Sequence, residues 1–273
     1  MYAVDIDGVD RAVRDEPRHT IAMEKPASCP AADEVCVWYA HTSALDGDRA
    51  AVARALTLLQ PDERARFERY RFDADRMMFL LGRVMARELV GQALALPPAA
   101  WRWREGGAGR PEIDEPGTAL RFNLAHSAGL VACALASGRD VGVDVEDLER
   151  RATDVAIVRR YCSPEEAVDV EAQGERWRDR FLTYWTLKEA YLKARGVGIA
   201  VNLSDINFSL DPGGASVAFL DSLAGTDTRW RFELLRPTDR HLLAVAASTT
   251  DGVQPVVGTG LFSTDWGGWG TGL

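Results

Sequence analysis

The sequence lacks most features that would tie it to a membrane, a thiolate metal site or a nucleic acid. Four of its 273 residues are cysteine and none forms a Cys-x-x-Cys pair, so there is no zinc-thiolate signature and no disulfide framework. No apolar run is long enough to span a bilayer. Because the formal net charge is −9, general binding to nucleic acid or anionic membranes is not expected, although a local basic cluster can still bind phosphates.

The composition is that of an ordinary globular protein, with 47% hydrophobic and 27% charged residues. The length suffices for one large domain or two small ones. The N-terminal stretch MYAVDIDGVDRAVRDEPRH is too polar and too acidic for a signal peptide. Together with the sparse cysteines, this favours a cytoplasmic protein.

The order of predicted strands and helices indicates the α+β class, arranged as two similar α+β halves. We expect a variable leader at residues 1–34, an N-terminal half at 35–138, a C-terminal half at 139–250 and a glycine-rich tail at 251–273. Residues 1–32 are expected to be loosely ordered, and the glycine-rich end TDWGGWGTGL (264–273) is expected to be mobile.

Local signals place the individual elements. Pro61 and the run Ser163-Pro164-Glu165-Glu166 each mark a helix start. The longest predicted helix covers about residues 73–93, and the turn-rich stretch 104–117 is expected to be a surface loop. Strands are predicted at 35–43, on both sides of a turn at His126–Gly129, at 140–147, and near 203–209, 215–220, 229–235 and 241–248.

The helix that contains WTLKEAYLKARG (185–196) carries a carboxylate where it should be apolar. At 100° per residue, Glu189 lies between Trp185 and Leu182, inside the arc of apolar side chains. Lys193 follows one turn later, in the orientation that favours an i,i+4 ion pair. A helix salt bridge is one interpretation. The other is a partner from elsewhere, because a buried carboxylate is costly unless it is paired or bound to a metal.

The stretch DVGVDVED (140–147) alternates strictly, with valines on one face and Gly142, Asp144 and Glu146 on the other. Two residues along a strand span about 6.6 Å, so these carboxylates can close on a common ion, and Gly142 is expected to leave open space beside them. Oxygen ligands suit Mg²⁺, which typically binds one or two carboxylates together with waters and substrate phosphates. The alternative is an edge strand with a solvated acidic face.

Candidate phosphate-binding groups are a histidine and several arginines. FNLAHS (122–127) places His126 at a strand end, where an imidazole N–H can donate to phosphate, although a structural hydrogen bond is the commoner role. Arg110 lies in the turn GAGRPE. Arginines are also frequent between residues 64 and 87, where a solvated amphipathic helix is the alternative. They are Arg64, Arg66, Arg69, Arg71, Arg76, Arg83 and Arg87.

Two motifs, one in the strand at 140–147 and one in the helix that contains Glu189, resemble the signatures of the larger, Sfp-type 4′-phosphopantetheinyl transferases. GVDVE (142–146) is similar to G-[VI]-D-[VIL]-E, and residues 185–196 are similar to W-x-x-K-E-A-x-x-K-x-x-G. Two less specific family features, GRP (109–111) and FNLAHS, precede these motifs in the same order as in the family. Residues 60–89 resemble the family's N-terminal region. The resemblance covers roughly residues 35–250.

This resemblance implies a pseudo-twofold pair of α+β halves, with the active site at their junction and a boundary near residues 137–140. It implies Mg²⁺-dependent transfer of the 4′-phosphopantetheine arm of coenzyme A to a serine of an apo acyl or peptidyl carrier protein. Adenosine 3′,5′-bisphosphate is released. Such proteins act as internal dimers, so a monomer is implied, with no nucleic-acid or membrane partner.

Carried over by motif, the resemblance implies that Asp144, Glu146 and Glu189 bind Mg²⁺ against the pyrophosphate of coenzyme A. Glu189, or a water that it holds, would help to take the proton of the carrier serine. Lys193 and His126 would contact the phosphates. The implied catalytic group is therefore Lys193 together with the three carboxylates.

The implied coenzyme A site extends to the first half of the chain. Arg66, Arg76 and Arg110 are candidates for the 3′-phosphate and adenine end, and Asn123 of FNLAHS is included among the coenzyme A-binding residues. Two positions depart from the family pattern. Ala125 replaces the usual serine, so one hydrogen bond to coenzyme A is lost or made by the backbone, and Arg110 replaces the usual lysine, which keeps the charge but alters the geometry.

Two other functions remain open at this point. A different Mg²⁺-dependent transferase that handles nucleotides or pyrophosphate would bind ATP as tightly as coenzyme A. A catalytically silent module that binds carrier proteins would be expected to have lost a metal carboxylate, whereas all three are present. Carriers of polyketide, nonribosomal peptide and fatty acid biosynthesis are all compatible acceptors for the transferase.

Overall fold

The computed structural model describes residues 20–22, 30–150, 154–198, 201–211, 214–219, 229–250 and 252–262. Most of the expected leader (1–19 and 23–29) and the end of the expected tail (263–273) lie outside the described residues. The strands and helices below are numbered in chain order.

The main sheet contains strands from both ends of the chain. Its spatial order is β1 (Thr20–Ala22), β12 (Val256–Leu261), β2 (Glu34–His41), β6 (Leu130–Ser137) and β5 (Leu120–Ser127). β12 runs parallel to β1 and β2, whereas β6 is antiparallel to β2 and β5. The expected glycine-rich tail from residue 251 therefore contains β12, which buries Val257 and pairs with β2 from Glu34 to Tyr39. The stretch expected to be mobile, residues 264–273, lies outside the described residues. The expected leader likewise contains β1.

Helices cover one face of this sheet: α1 (Arg49–Leu58), α2 (Pro61–Arg69) and α3 (Asp73–Leu94). The side chain of Asp48 accepts the N–H of Ala51 at 2.8 Å and so caps α1. Gln60 and Glu63 form a capping box around Pro61, which confirms the predicted start of α2. The long helix predicted at about 73–93 is confirmed as α3.

The stretch at residues 104–117, predicted to be a surface loop, is partly ordered by aromatic packing. It contains a short antiparallel ribbon of β3 (Trp103–Glu105) and β4 (Pro111–Ile113). Trp103 stacks on Phe122 of the main sheet with ring centroids 6.0 Å apart, and Trp101 contacts both rings edge-on. These contacts hold the ribbon against the main sheet, so the prediction of a plain loop was wrong here.

The second half places an antiparallel sheet against one long helix. Its helices are α4 (Ala156–Tyr161), α5 (Pro164–Ala172) and α6 (Trp177–Arg195). Its strands are β7 (Val141–Asp147), β8 (Ile206–Asp211), β9 (Gly214–Phe219), β10 (Trp230–Thr238) and β11 (His241–Ser248). β10, β11 and β7 form one sheet in that order, and β8 pairs with β9. Both halves thus pack helices on sheets, which confirms the α+β class.

A buried ion pair fixes α6 against its neighbours. The ammonium group of Lys188 donates to the Glu166 carboxylate of α5 and to the carbonyl oxygens of Tyr161 (2.8 Å) and Leu203 (2.9 Å). All three ammonium protons are thereby used, which a buried charge requires. In the part of the chain that the structure describes, no helix combines the length and apolar character needed to cross a membrane.

The two halves meet in a core of small and β-branched side chains. Val141, Val143 and Val145 of β7 pack there with Ala132 and Ala134 of β6. The predicted alternation of β7 is therefore confirmed, because the valines face this core and the opposite face turns towards α6.

Candidate active site

Gly142 lets α6 lie directly against β7. A Cβ atom at this position would overlap the carbonyl oxygen of Ala190 and the backbone nitrogen of Ala194. The expectation that Gly142 leaves open space for an ion was therefore wrong, because the backbone of α6 fills that space. The result is that the side chains of α6 and the carboxylates of β7 share one narrow region.

Asp144 is the central carboxylate of this region. Its side chain is buried, and its Oδ1 accepts a hydrogen bond from the ammonium group of Lys193 at 2.6 Å. Oδ2 is also buried and has no hydrogen-bond partner among the described residues. Burial raises the pKa of Asp144, and Lys193 offsets only part of that rise.

Glu146 lies two residues further along the same face of β7. Its Oε1 accepts the indole N–H of Trp185 at 2.8 Å, and its Oε2 lies 3.6 Å from Arg150. Burial and the nearby charge of Asp144 raise the pKa of Glu146. The contact with Trp185 was not predicted; its only signal in the sequence was that this tryptophan opens the motif that contains Glu189.

Glu189 comes from α6 and is half-buried. Its pKa is raised from the ordinary 4.5, first by burial and then by the charge of Asp144, while Lys193 acts in the opposite direction. Among the described residues no hydrogen bond or ion pair holds its carboxylate, since Lys193 pairs with Asp144. The i,i+4 salt bridge is therefore not the arrangement found.

The three carboxylates influence one another without forming a finished metal cage. Within the described residues, no group of three or more His, Cys, Asp or Glu side chains is gathered closely enough to hold a metal ion by itself. The donor set nevertheless fits Mg²⁺: the oxygens are hard ligands, and one buried carboxylate oxygen of Asp144 is unpartnered. Because Mg²⁺ takes few protein ligands and completes its shell with water and phosphate, a preformed cage is not required.

His126 faces the same charges from the other half of the chain. It lies near the end of β5 with an exposed side chain. Partial desolvation and the charge of Lys193 lower the pKa of His126, while Asp75 and Asp144 act to raise it. The structure therefore brings His126 into the electrostatic neighbourhood of the Lys193–Asp144 pair.

Asn123 has a structural contact rather than an open side chain. Its Oδ1 accepts the N–H of Val143 at 3.0 Å, which joins β5 of the first half to β7 of the second. The side chain is buried. This hydrogen bond fixes the position of β7, and therefore of Asp144, relative to β5, the strand that carries His126.

The three candidate arginines have different surroundings. Arg110 is largely buried, donates to the carbonyl oxygen of Ala194 at 2.6 Å and lies 3.5 Å from Asp140, so it joins the β3–β4 ribbon to the end of α6. Desolvation lowers its pKa. Arg76 donates to Asp73 and to the carbonyl oxygen of Tyr70. Exposed Arg66 lies 5.5 Å from the centroid of the Phe79 ring.

Comparison with known proteins agrees with this geometry. The family described as "4′-phosphopantetheinyl transferase superfamily" matches residues 140–246, and "4′-phosphopantetheinyl transferase, N-terminal" matches residues 46–138. The phosphopantetheinyl transferase of Thraustochytrium sp. is 34% identical over 231 residues, which cover 80% of this chain and 79% of that protein. The chain belongs to the 4′-phosphopantetheinyl transferase superfamily.

Another relative of this transferase is the 4′-phosphopantetheinyl transferase HetI of Nostoc sp., which is 31% identical over 85% of this chain and 94% of its own length. Solved structures are more distant. The holo-(acyl-carrier-protein) synthase of Bacillus anthracis in complex with CoA is 21% identical and covers 40% of this chain and 94% of that chain, with a TM-score of 0.35. As a member of the superfamily, the chain is an enzyme that transfers phosphopantetheine from coenzyme A to a carrier protein.

Proposed function

We propose that this transferase acts with Mg²⁺ held by Asp144, Glu146 and Glu189, and that its acceptor is a serine of an apo acyl or peptidyl carrier protein. The observation that carries the metal assignment is the unpartnered, buried Oδ2 of Asp144. It lies among carboxylates whose pKa values are raised by burial and, for Glu146 and Glu189, by the charge of Asp144. When bound there, the metal would supply positive charge against the pyrophosphate of coenzyme A.

The residues of the chain have distinct roles in the proposed transfer. The serine Oγ forms a bond to the β-phosphorus of coenzyme A, and the phosphoanhydride bond breaks so that its electrons leave with adenosine 3′,5′-bisphosphate. Glu189, directly or through one water, accepts the serine proton, a role that suits a carboxylate with a raised pKa. Most of the remaining contribution is positioning and charge neutralisation.

Lys193 neutralises the phosphates in this proposal. It has three N–H donors and gives one of them to Asp144. In this proposal the other two donors remain for phosphate oxygens. His126 would donate to the phosphates from the side of β5, whereas Arg110 and Asn123 would act mainly by holding α6 and β7 in place.

Replacing Lys193 with alanine is expected to weaken binding of coenzyme A about 10- to 100-fold, because a hydrogen bond to a charged group contributes about 1.5–3 kcal/mol. Calorimetric titration with coenzyme A in the presence of Mg²⁺ measures this directly. Arg195→Ala is the matched control, since Arg195 lies in the same last turn of α6 but bonds to Tyr191. Unchanged affinity in a folded Lys193→Ala protein would refute the phosphate role.

The proposed acceptor and oligomeric state can be tested together. Residues of both halves of one chain contribute to the proposed site, so a second copy is not needed to complete it, and we propose that the enzyme acts as a monomer. Sedimentation of the protein alone and with an apo carrier should give masses of one chain and of a one-to-one complex. An active species that exists only as a dimer would contradict this part of the proposal.

A further inference from the structure

The turn between β5 and β6 has an unusual backbone. Ala128 has φ of 45° and Gly129 has φ of 88°, so both central residues are left-handed, as a type I′ hairpin turn requires. Alanine is disfavoured in this region, and such a residue persists only where its surroundings hold it in place. The turn directly follows His126 and Ser127, so its position decides where the His126 ring lies.

Contacts from three separate elements hold this turn. The N–H of Gly129 points at the sulfur of Met78 in α3 at 3.4 Å, and the N–H of Thr42, which follows β2, donates to the carbonyl oxygen of Gly129 at 2.7 Å. From the second half of the chain, Nε2 of His241 lies 3.3 Å from the carbonyl oxygen of Ala128. That last contact crosses from β11 to the hairpin.

The hydrogen-bond network around His241 fixes which ring nitrogen carries the proton. Nδ1 lies 2.7 Å from the hydroxyl of Thr238, and that hydroxyl oxygen already accepts the backbone N–H groups of Arg240 and of His241 itself, each at 3.2 Å. A threonine hydroxyl has one proton and two acceptor positions, so its proton is left for Nδ1. Nε2 then carries the ring proton and donates it to Ala128. Burial lowers the pKa of His241, in keeping with a neutral ring.

We propose that His241 is a positioning residue for coenzyme A binding, which acts by holding the β5–β6 turn so that His126 faces the Lys193–Asp144 pair. This inference rests on the proposed function, because it assumes that His126 contacts the phosphates. In this proposal a residue of the second half, His241, determines the position of a phosphate-binding residue of the first half, His126. β11, which carries His241, is also the strand paired with β7, with His241 opposite Asp147.

The first test is the tautomer of His241, which does not depend on activity. Long-range ¹H–¹⁵N correlation spectra of the labelled protein at neutral pH should show His241 protonated on Nε2 and bare at Nδ1. A His241 ring protonated on Nδ1 alone cannot donate to Ala128, and that result would overturn the inference.

The second test is a double-mutant cycle on coenzyme A binding. His241→Leu removes the donor but keeps an apolar side chain, and it should raise the KM and the Kd for coenzyme A about three- to tenfold, the effect of one hydrogen bond, with little change in kcat. His241→Gln, which can place an N–H near the Nε2 position, should restore most of the affinity. In a His126→Ala background, His241→Leu should have no further effect.

The outcomes separate the two proposals. If the wild-type protein transfers phosphopantetheine and the two mutations are additive, the positioning role is wrong while the proposed function stands. If the wild type transfers nothing to any carrier, the proposed function fails whatever the cycle gives. Urea unfolding of each variant confirms that it is folded. If His241→Leu does not fold, the tautomer and the affinity of His241→Gln still decide the matter.

Discussion

Replacing Glu189 with glutamine is expected to lower the rate of phosphopantetheine transfer by about 10²- to 10⁴-fold, the range lost when a general base is removed. Glutamine has almost the same shape but neither accepts the serine proton nor carries a charge for a metal. Because β7 and α6 remain packed, the fold and the hydrogen bond between Lys193 and Asp144 should persist. Mass spectrometry of the carrier over time measures the rate.

The same substitution should stabilise the metal-free protein above acidic pH. Burial and Asp144 raise the pKa of Glu189 above 4.5, so the folded state binds this proton more tightly than the unfolded chain. Protonation of Glu189 therefore contributes to the free energy of unfolding. This contribution is fully present below the pKa that Glu189 has in the unfolded chain, and it is lost as the pH rises through the pKa of Glu189 in the folded protein. The urea midpoint of Glu189→Gln should therefore match the wild type near pH 4 and exceed it at pH 8.

Glu175 provides the control for the effects on transfer rate and on pH-dependent stability. It is exposed, and it lies outside the site, two residues before the start of α6. Glu175→Gln should leave the transfer rate and its pH dependence unchanged. A folded Glu189→Gln enzyme that transfers at the wild-type rate would rule out the assigned role of Glu189.

Gly142→Ala is expected to damage both stability and activity. The added Cβ has no room, because it meets backbone atoms of Ala190 and Ala194 that cannot rotate away. Overpacking of this kind costs about 1–3 kcal/mol or more of the free energy of unfolding. It should also push β7 away from α6, separating Asp144 from Lys193 and Glu189, so transfer should fall well beyond what lower stability explains.

Gly82→Ala is a matched control for this prediction. Gly82 is buried in α3, and a Cβ there would lie 3.5 Å from a side-chain carbon of Val131, an ordinary contact. Alanine is the better helix former by about 1 kcal/mol, so this variant should be as stable as the wild type or more stable. If Gly142→Ala unfolds at the wild-type urea concentration and retains full activity, the close approach of β7 and α6 is not what assembles the site.

The parts of the fold that local patterns encode could be predicted from the sequence. The strict alternation of β7 predicted which of its residues face the core and which face the site, and Pro61 and Ser163 predicted the starts of α2 and α5. The strand β12 was missed because its glycine-rich sequence resembles a tail. Its strand character comes from pairing with β1 and β2, more than two hundred residues away in the chain.

In the candidate site, too, contacts between residues distant in the chain could not be predicted from the sequence. Spacing within α6 offered Lys193 as a partner for Glu189, but the packing of α6 on β7 gives Lys193 to Asp144, 49 residues away. Gly142 could be recognised as small, yet only the structure shows that a helix backbone occupies the space beside it. Arg110 could be predicted as a candidate phosphate-binding group, and that role stays a prediction, whereas its contact with Ala194 depends on how the two halves meet.

The central claim is tested most directly by the mass of an apo carrier protein after incubation with this enzyme, coenzyme A and Mg²⁺, beside an identical sample with EDTA. The account predicts a gain of one phosphopantetheine arm with Mg²⁺ and none with EDTA. An equal gain in both samples would contradict the proposed metal. No gain on any of several acyl and peptidyl carriers, while coenzyme A still binds, would contradict the proposed transfer.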